Sequence, residues 1–169
     1  MNFDTAFNTL IDPQHEGGFQ NNPKDPGNWT GGAVGSGVLK GTKYGISAAS
    51  YPHLDIANLT IEQAKAIYLP DYWLAAGCDK APDAVRYSLF DTAVNSGVGT
   101  AKVLLQRAVD VAQDGLIGPV TLAAMSALNP YQLAARFEGA RLMRDTQLNN
   151  WTLNSKGWTR RSATNLLAL

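Results

Sequence analysis

The chain has 169 residues, a length that suits one domain with a substantial core. Apolar residues make up 45% of it and charged residues 17%, which excludes a disordered chain. Because 14 basic residues balance 14 acidic ones, nothing in the composition supports nucleic-acid binding, and a single cysteine excludes an internal disulfide framework.

The first predicted element is a short amphipathic helix. Apolar residues recur at helical spacing from Phe3 to Leu10, and Pro13 is expected to end the helix near Asp12. Residues 17–50 are rich in Gly, Asn, Pro and Thr, which predicts loops with a small β-hairpin.

From Thr60 onward the sequence predicts helices. Thr60 and Gln63 have the spacing of a capping box, and Pro70 is expected to kink or restart that helix. Pro82 and Gly97 bracket the next helix. Further helices are expected over GTAKVLLQRAVD, VTLAAMSAL, the stretch from Pro130 to Asn150, and GWTRRSATNLLAL. The predicted fold class is mainly α, with a small hairpin and loop region after the first helix.

The two ends of the chain differ in character. MNFDTAFNTLIDPQHEGG has no basic start and no long apolar run, so we expect neither a signal peptide nor a membrane span. Basic residues crowd the last third, where they indicate either a face that meets an anionic polymer or a solvated helix face. They are Arg136, Arg141, Arg144, Lys156, Arg160 and Arg161.

The stretch HEGGFQNNPKDPGNWTGG contains the chemistry-bearing residues Glu16, Asp25 and Thr30. Hydrolysis of a glycosidic bond needs a proton donor at the leaving oxygen and a group that positions water. Glu16 follows a helix whose C-terminal dipole disfavours a carboxylate anion, and burial against Phe19 would add to that effect. Asp25 would then be the second acid, and the Thr30 hydroxyl would hold a water.

A purely structural interpretation of the second acid stays open beside the catalytic one. Asp25 opens an Asp-Pro-Gly-Asn sequence, an ordinary turn in which Asp bonds its own backbone. Thr30 is equally compatible with a turn. Glu16, a lone acid followed by two glycines, has no comparable structural explanation.

These residues also carry a family resemblance. Eight residues separate Glu16 from Asp25 and four separate Asp25 from Thr30, which resembles the Glu-x8-Asp-x5-Thr triad of phage lysozymes with a shorter second gap. The string EGGFQNNPKDPGNWTGG, followed by GTKYGIS, DYW, LFDTAVNSG and DGLIGPVT, resembles glycoside hydrolase family 108 from about Phe3 to Arg161. The resemblance implies a lysozyme-like helical fold and N-acetylmuramidase activity, with Glu16 as the catalytic acid.

The resemblance carries further expectations about biology. It implies a bacteriophage endolysin, a bacteriolytic and antimicrobial enzyme that cleaves the β-1,4 bond between N-acetylmuramic acid and N-acetylglucosamine in peptidoglycan. Such a protein would be made in the host cytoplasm and reach the cell wall through a holin-type pore. We expect a monomer that needs no cofactor, binds no nucleic acid and does not insert into membranes.

We expect a single domain over residues 1–169 with two lobes. Residues 1–93 would form the catalytic lobe and residues 94–169 a helical lobe, because LLQRAVDVAQDGLIGPVTLAAM resembles peptidoglycan-binding modules. In physical terms the turn at Asp114 and Gly115 joins two helices, so wall binding and a structural role both stay open for this segment.

Other polar and aromatic side chains are candidates for binding the glycan. Tyr44 and Asn95 would hydrogen-bond sugar hydroxyls or N-acetyl groups; alternatively Tyr44 packs on the hairpin and Asn95 caps a helix. Trp29 is the best platform for stacking on a sugar ring. His15 and His53 are the only histidines and no spacing resembles a zinc site, so no metal is expected.

Three rival functions remain at this point. A lytic transglycosylase needs only the single Glu and forms an anhydro sugar. A non-catalytic wall-binding or structural protein would use the helical half and leave Glu16 without chemistry. Chitin in place of peptidoglycan is the third alternative.

Overall fold

The computed structural model describes residues 1–12 and 18–169. The chain forms two compact units: the N-terminal unit is Phe3–Leu69, and the helical unit is Pro70–Leu169 together with Met1 and Asn2. The predicted fold class, a mainly α, lysozyme-like fold with a small β region after the first helix, is confirmed. Within these described ranges no helix has the length and apolar character needed to span a membrane.

The N-terminal unit is built from two helices and a small sheet. Its elements are α1 (Phe3–Leu10), β1 (Phe19–Gln20), β2 (Thr42–Lys43), β3 (Ile46–Ser47) and α2 (Ile61–Tyr68). The periodicity of α1 buries Ala6, Phe7 and Leu10 as predicted. Phe7 packs edge-on against Tyr68, with ring centroids 5.5 Å apart. Each buried side chain of this size contributes about 1.5–3 kcal/mol, so this contact ties α1 to α2.

The sheet is antiparallel in the order β1-β2-β3. Phe19 pairs with Lys43, Gln20 with Thr42, and Lys43 with Ile46. The loop between β2 and β3 therefore has two residues, and both have positive φ, which is what a type I′ hairpin turn requires. The second of them is a glycine, and the first is Tyr44 at φ 52°.

Helix α2 begins and ends as its sequence predicts. The Thr60 hydroxyl accepts the Gln63 backbone N–H at 3.2 Å, and the Gln63 side chain accepts the Thr60 N–H at 2.9 Å. This reciprocal pair is the predicted capping box. A π-helical segment, Leu69–Leu74, follows directly. Pro70 lies in it, and because proline cannot donate a helical hydrogen bond, the predicted kink takes the form of this wider turn.

The helical unit surrounds one buried helix. Its helices are α3 (Asp83–Ser96), α4 (Val98–Ala108), α5 (Pro119–Ala127), α6 (Pro130–Asp145) and α7 (Trp151–Leu167). Helix α3 contacts α4, α6 and α7, and it buries Leu89 and Phe90 completely. Trp73 packs edge-on against Phe90 at 5.5 Å. The central place of α3 explains why its apolar residues are not confined to one face.

Helix α6 is shorter than predicted. The sequence prediction continued it to Asn150, whereas it ends at Asp145, and α7 already begins at Trp151. Between them the backbone tightens: the N–H groups of residues 147, 148 and 151 each bond the carbonyl three positions earlier. No glycine or proline marks this break, which is why the pattern did not predict it.

The compact units divide the chain earlier than the predicted lobes do. The division lies at Leu69 and Pro70, because α3 packs with the C-terminal helices, whereas the lobes were placed at residues 1–93 and 94–169. The assignment of catalysis and wall binding to those two lobes concerns function and stays a prediction.

The cysteine is free and buried. Burial raises the pKa of the Cys78 thiol far above its usual range, and the nearby Asp79 carboxylate adds to that effect. The thiol therefore stays protonated at neutral pH and is a poor nucleophile.

Candidate active site

Asp25 caps a single 3-10 turn, Pro26–Asn28, in the N-terminal unit. One carboxylate oxygen accepts the Gly27 backbone N–H at 2.9 Å, and the other accepts the Gln20 side-chain amide at 3.1 Å. The structural turn expected from the sequence is therefore present. The side chain is still partly exposed, and a carboxylate oxygen can accept more than one hydrogen bond. Asp25 is thus both oriented and able to bind a water.

A buried amide holds this turn against the sheet. Asn28 is fully buried and its amide donates to the Gln20 side-chain oxygen at 2.7 Å and to the Asn22 carbonyl at 3.0 Å. Its own side-chain oxygen accepts from Thr42 at 2.7 Å and from Gln20 at 3.1 Å. Gln20 therefore contacts Asn28 and Asp25 at once. Asn28 is not among the residues predicted from the sequence, although the density of amide side chains in QNNPKDPGN is a signal for it.

Thr30 and Trp29 begin a hairpin whose other side contains Val38 and Leu39. Trp29 bridges Leu39, and the Thr30 backbone N–H bonds the Val38 carbonyl at 3.0 Å. The Thr30 hydroxyl accepts the Val38 N–H at 2.9 Å, so it closes the hairpin and keeps its proton for donation. The Trp29 indole donates to the Pro23 carbonyl at 2.9 Å, and its ring is half-buried. Water holding by Thr30 and sugar stacking by Trp29 stay predictions.

Tyr44 lies at the tip of the β2–β3 turn, as the hairpin alternative supposed. Its backbone carbonyl accepts the Tyr68 hydroxyl at 2.7 Å, which ties the turn to α2. The Lys43 ammonium lies 5.3 Å from the centre of its half-buried ring. Binding of sugar by Tyr44 stays a prediction.

Asn95 belongs to the helical unit, in the last turn of α3. Its amide donates to the Asp91 backbone carbonyl at 2.9 Å and to the Asp91 carboxylate at 3.1 Å. It also borders a cavity of about 280 Å³ lined with Arg144 and Trp158, among others. Its contact with substrate stays a prediction, because its observed bonds are local to its own helix.

Glu16, the expected catalytic acid, and His15 lie outside the described residues. Within residues 1–12 and 18–169, no three His, Cys, Asp or Glu side chains cluster in a way that could hold a metal. The described geometry of the candidate site is therefore the Asp25 turn and the hairpin that follows it.

The segment with these features matches a family model described as glycosyl hydrolase 108, over residues 13–97 of the 169. The chain belongs to glycosyl hydrolase family 108. The match includes Glu16, Asp25 and Thr30, and also the glycan-binding candidates Tyr44 and Asn95. Family membership makes the protein a glycosidase and implies peptidoglycan as its substrate.

A solved structure extends the likeness beyond the matched segment. The chain is similar to SagA of Brucella abortus, with 29% sequence identity and a TM-score of 0.77. The likeness covers 98% of this chain and 89% of the other. No curated protein matches the chain. The similarity to SagA therefore includes the helical unit, which lies largely outside the family model.

In this family 108 chain the second resemblance, LQ followed by DGLIGPVT, has a clear structural role. Gln106 is buried; its amide donates to the Asp114 carboxylate at 2.6 Å and to the Leu116 carbonyl at 3.0 Å. Its side-chain oxygen accepts the Gly115 N–H at 2.8 Å. Hydrogen bonds from Gln106 and then from the Leu116 N–H lower the pKa of Asp114. These residues fasten the connection between α4 and α5, and wall binding by the segment stays a prediction.

Three of the six basic residues in the last third of the glycosidase pair with carboxylates of the helical unit, whereas Arg136, Lys156 and Arg160 are exposed and both interpretations stay open for them. Arg141 is 3% exposed and bonds the buried Asp91 carboxylate at 2.7 Å. Arg161 bonds the other oxygen of Asp91 at 2.6 Å, and Arg144 bonds Asp145 at 2.8 Å. These arginines are parts of an ionic cluster inside the helical unit, so neither a solvated face nor an open anion-binding face describes them.

Proposed function

We propose that this family 108 glycosidase is an N-acetylmuramidase that cleaves the β-1,4 bond between N-acetylmuramic acid and N-acetylglucosamine. Glu16 is the general acid, and Asp25 with Thr30 holds the attacking water. The observation that supports this most directly is the Asp25 carboxylate, which two donors orient within the family segment while part of it stays exposed.

The chemistry follows from the two carboxyl groups. Glu16 gives its proton to the glycosidic oxygen as the bond to the anomeric carbon breaks. A water held by the Asp25 carboxylate attacks that carbon from the other face and passes a proton to Asp25. This arrangement inverts the configuration, which needs the two carboxyl groups to lie about 6.5–9.5 Å apart. Thr30 keeps a hydroxyl proton and an oxygen lone pair that suit it to hold the same water.

The biological part of the proposal is an endolysin that lyses bacterial cell walls and acts as a monomer. It rests on the implied peptidoglycan substrate and on the resemblance to phage lysozymes. Sedimentation of the purified chain tests the monomer. Addition of the protein to cells with a permeabilised outer membrane tests lysis, which a fall in turbidity reports.

The bond that is cleaved is tested by mass spectrometry of fragments released from purified peptidoglycan. Fragments with reducing-end N-acetylmuramic acid support the muramidase. Fragments with anhydro-muramic ends would instead identify a lytic transglycosylase. Release of fragments from chitin alone would make chitin, and not peptidoglycan, the substrate. Absence of fragments from every polymer would leave a wall-binding protein and contradict the proposal.

Asp25→Asn is expected to lower the rate of fragment release by about 10²-fold, because the amide no longer takes a proton from water. The substitution keeps the oxygen that accepts the Gly27 N–H, so the turn should persist, but the new amide nitrogen no longer accepts the hydrogen bond from Gln20. The rate is measured by quantifying reducing ends over time, with Asp4→Asn as the control; Asp4 is an exposed carboxylate of the same unit, paired only at the surface with Lys65.

Two outcomes separate the mechanisms. If Asp25→Asn keeps full activity and the products have anhydro ends, the transglycosylase rival replaces the hydrolase. If it keeps full activity and releases ordinary reducing ends, Asp25 is a structural turn residue and the water is held elsewhere.

A further inference from the structure

The N-terminal unit has a concave surface, a cavity of about 530 Å³. Cavities of roughly 300–1,000 Å³ hold small ligands in proteins, and this size admits a sugar unit. Its lining combines apolar, aromatic and polar side chains on β1, before β2 and before α2. The residues are Phe19, Asn21, Leu39, Lys40, His53, Asp55, Ile56 and Ala57.

This cavity, the distal cavity, lies on the face of the sheet opposite to the Asp25 turn. Successive side chains of a strand point to opposite faces. Gln20 and its partner Thr42 both bond Asn28, on the face of the Asp25 turn. Phe19 and its partner Lys43 therefore point the other way, and the Lys43 ammonium accordingly bonds the Ala57 carbonyl at the cavity wall.

The aromatic side chain of Phe19 is exposed and not buried in the core. It is 45% exposed. A Cβ atom at Gly41 would lie 2.7 Å and 3.1 Å from carbons of the Phe19 ring, so the ring rests directly on the glycine backbone. Gly41 has φ +85°, a conformation that suits glycine. The ring is thus supported on one side and open on the other, as a stacking platform must be.

The opposite wall of the distal cavity is fixed in place. The Lys40 ammonium donates to the carbonyls of Pro52 at 2.7 Å and of Leu54 at 3.2 Å, and Lys43 donates to that of Ala57 at 3.0 Å. Ile56, between these points, is fully buried. Three anchored carbonyls and a buried side chain leave this wall little freedom, which lowers the entropic cost of binding.

The charges of the distal cavity favour a neutral, hydroxyl-rich ligand. Lys40 and Asp55 contribute one charge of each sign, and the Lys40 ammonium is already engaged by carbonyls. One oxygen of Asp55 accepts from Asn58 at 2.9 Å, and Asn21 and His53 are exposed at the rim. These groups can donate to and accept from hydroxyl and N-acetyl groups, whereas the described residues that line the cavity include no cationic cluster that would select a phosphate or a carboxylate.

We propose that the distal cavity binds a neutral N-acetylhexosamine unit of a glycan strand, with Phe19 stacking on the sugar ring. The site would hold the strand on the face of the sheet opposite to the Asp25 turn. The choice of sugar rests on the proposed function, because it assumes that the substrate is a β-1,4-linked N-acetylhexosamine polymer.

The test uses the full chain with Glu16→Gln, so that the probe is not cut. The probe is the β-1,4-linked tetramer of N-acetylglucosamine, and binding is followed by NMR shifts of the Asn21 side chain and the His53 ring. We expect saturable shifts at both groups. Adding Phe19→Ala should weaken binding at these signals roughly three- to tenfold, and Phe19→Trp should keep it.

Val34→Ala is the matched control, since Val34 is 60% exposed in the same unit and does not line the cavity. A maltotetraose titration checks that N-acetyl groups are needed. The inference is overturned if the tetramer leaves Asn21 and His53 unshifted, or if Phe19→Ala binds as tightly as the Val34→Ala control. Failure of the proposed function shows separately, as fragment release from peptidoglycan that persists without Glu16 or is absent in the wild type.

Discussion

Glu16→Gln is expected to abolish fragment release from purified peptidoglycan, with a loss of at least about 10²–10⁴-fold in rate. The amide has the size and shape of the carboxylic acid but cannot give a proton to the leaving glycosidic oxygen. The same loss is expected for a muramidase and for a lytic transglycosylase, because both need this acid. The measurement is the appearance of new reducing or anhydro ends by mass spectrometry.

The Glu16 experiment needs a control for charge and one for folding. Glu62→Gln removes an exposed carboxylate from the first turn of α2 and should keep activity near that of the wild type. Circular dichroism and sedimentation with isolated cell walls should give the same fold and wall binding for both variants. Activity of Glu16→Gln at the wild-type level would remove the acid from the mechanism and with it the proposed enzyme.

Asp91→Asn is expected to destabilise the helical unit by about 3–5 kcal/mol. The Asp91 carboxylate is 1% exposed and lies between Arg141 at 2.7 Å and Arg161 at 2.6 Å. Neutralising it leaves the buried Arg141 guanidinium without its nearest anion, and Glu138 is 3.8 Å away. Urea unfolding monitored by tryptophan fluorescence measures the change in the free energy of unfolding.

The control for Asp91 is Asp110→Asn in the same unit. Asp110 pairs with Arg136 at 3.0 Å but is 78% exposed, so water screens the pair and a much smaller change is expected. Asparagine also tolerates the positive φ of this position, 57°. Equal losses of unfolding free energy for the two variants would contradict the prediction. They would show that the buried ion pairs of Asp91 contribute no more to stability than the exposed pair of Asp110. An Asp91→Asn, Arg141→Gln double variant should lose less than the sum of the single losses.

Local signals predicted much of the fold. The capping box at Thr60, the proline at position 70 and the brackets of α3 act within a few residues of where they stand, so they keep their effect in the folded chain. The boundary after Asp145 was missed because the turns there use ordinary residues. No glycine or proline stands between Asp145 and Trp151 to indicate that the helix ends there.

Contacts between distant parts of the chain were the ones that the sequence did not reveal. Asp91 and Arg141 are 50 positions apart, and their meeting depends on how α3 and α6 pack. A basic run at the end of the chain therefore suggested a surface, whereas packing placed Arg141 inside. A charge pattern cannot distinguish these outcomes until the partner carboxylate is located.

The candidate site likewise combines a local feature that the sequence predicts with contacts between distant residues that it does not predict. The Asp25 turn was readable from Asp-Pro-Gly-Asn, because an Asp side chain that bonds two residues ahead is a local event. Its attachment through Gln20 to Asn28 was not, because it needs β1 to pair with β2 and bring Thr42 alongside. The family resemblance supplied what these local patterns lacked, namely a reason to regard Glu16 and Asp25 as one site.

The hairpin after Asn28 separates an exposed loop from the anchored Asp25 turn. The Lys40 backbone N–H bonds the Asn28 carbonyl, Trp29 forms a β-bridge with Leu39, and Thr30 pairs with Val38. The two sides of the hairpin are therefore joined before the exposed residues 31–37 begin. Insertions among residues 33–35 would leave the anchor of Asp25 intact, whereas a side chain at Gly37 would collide with the Thr30 hydroxyl. A new recognition loop for another bacterial wall could therefore arise or be grafted there while the Asp25 turn stays in place.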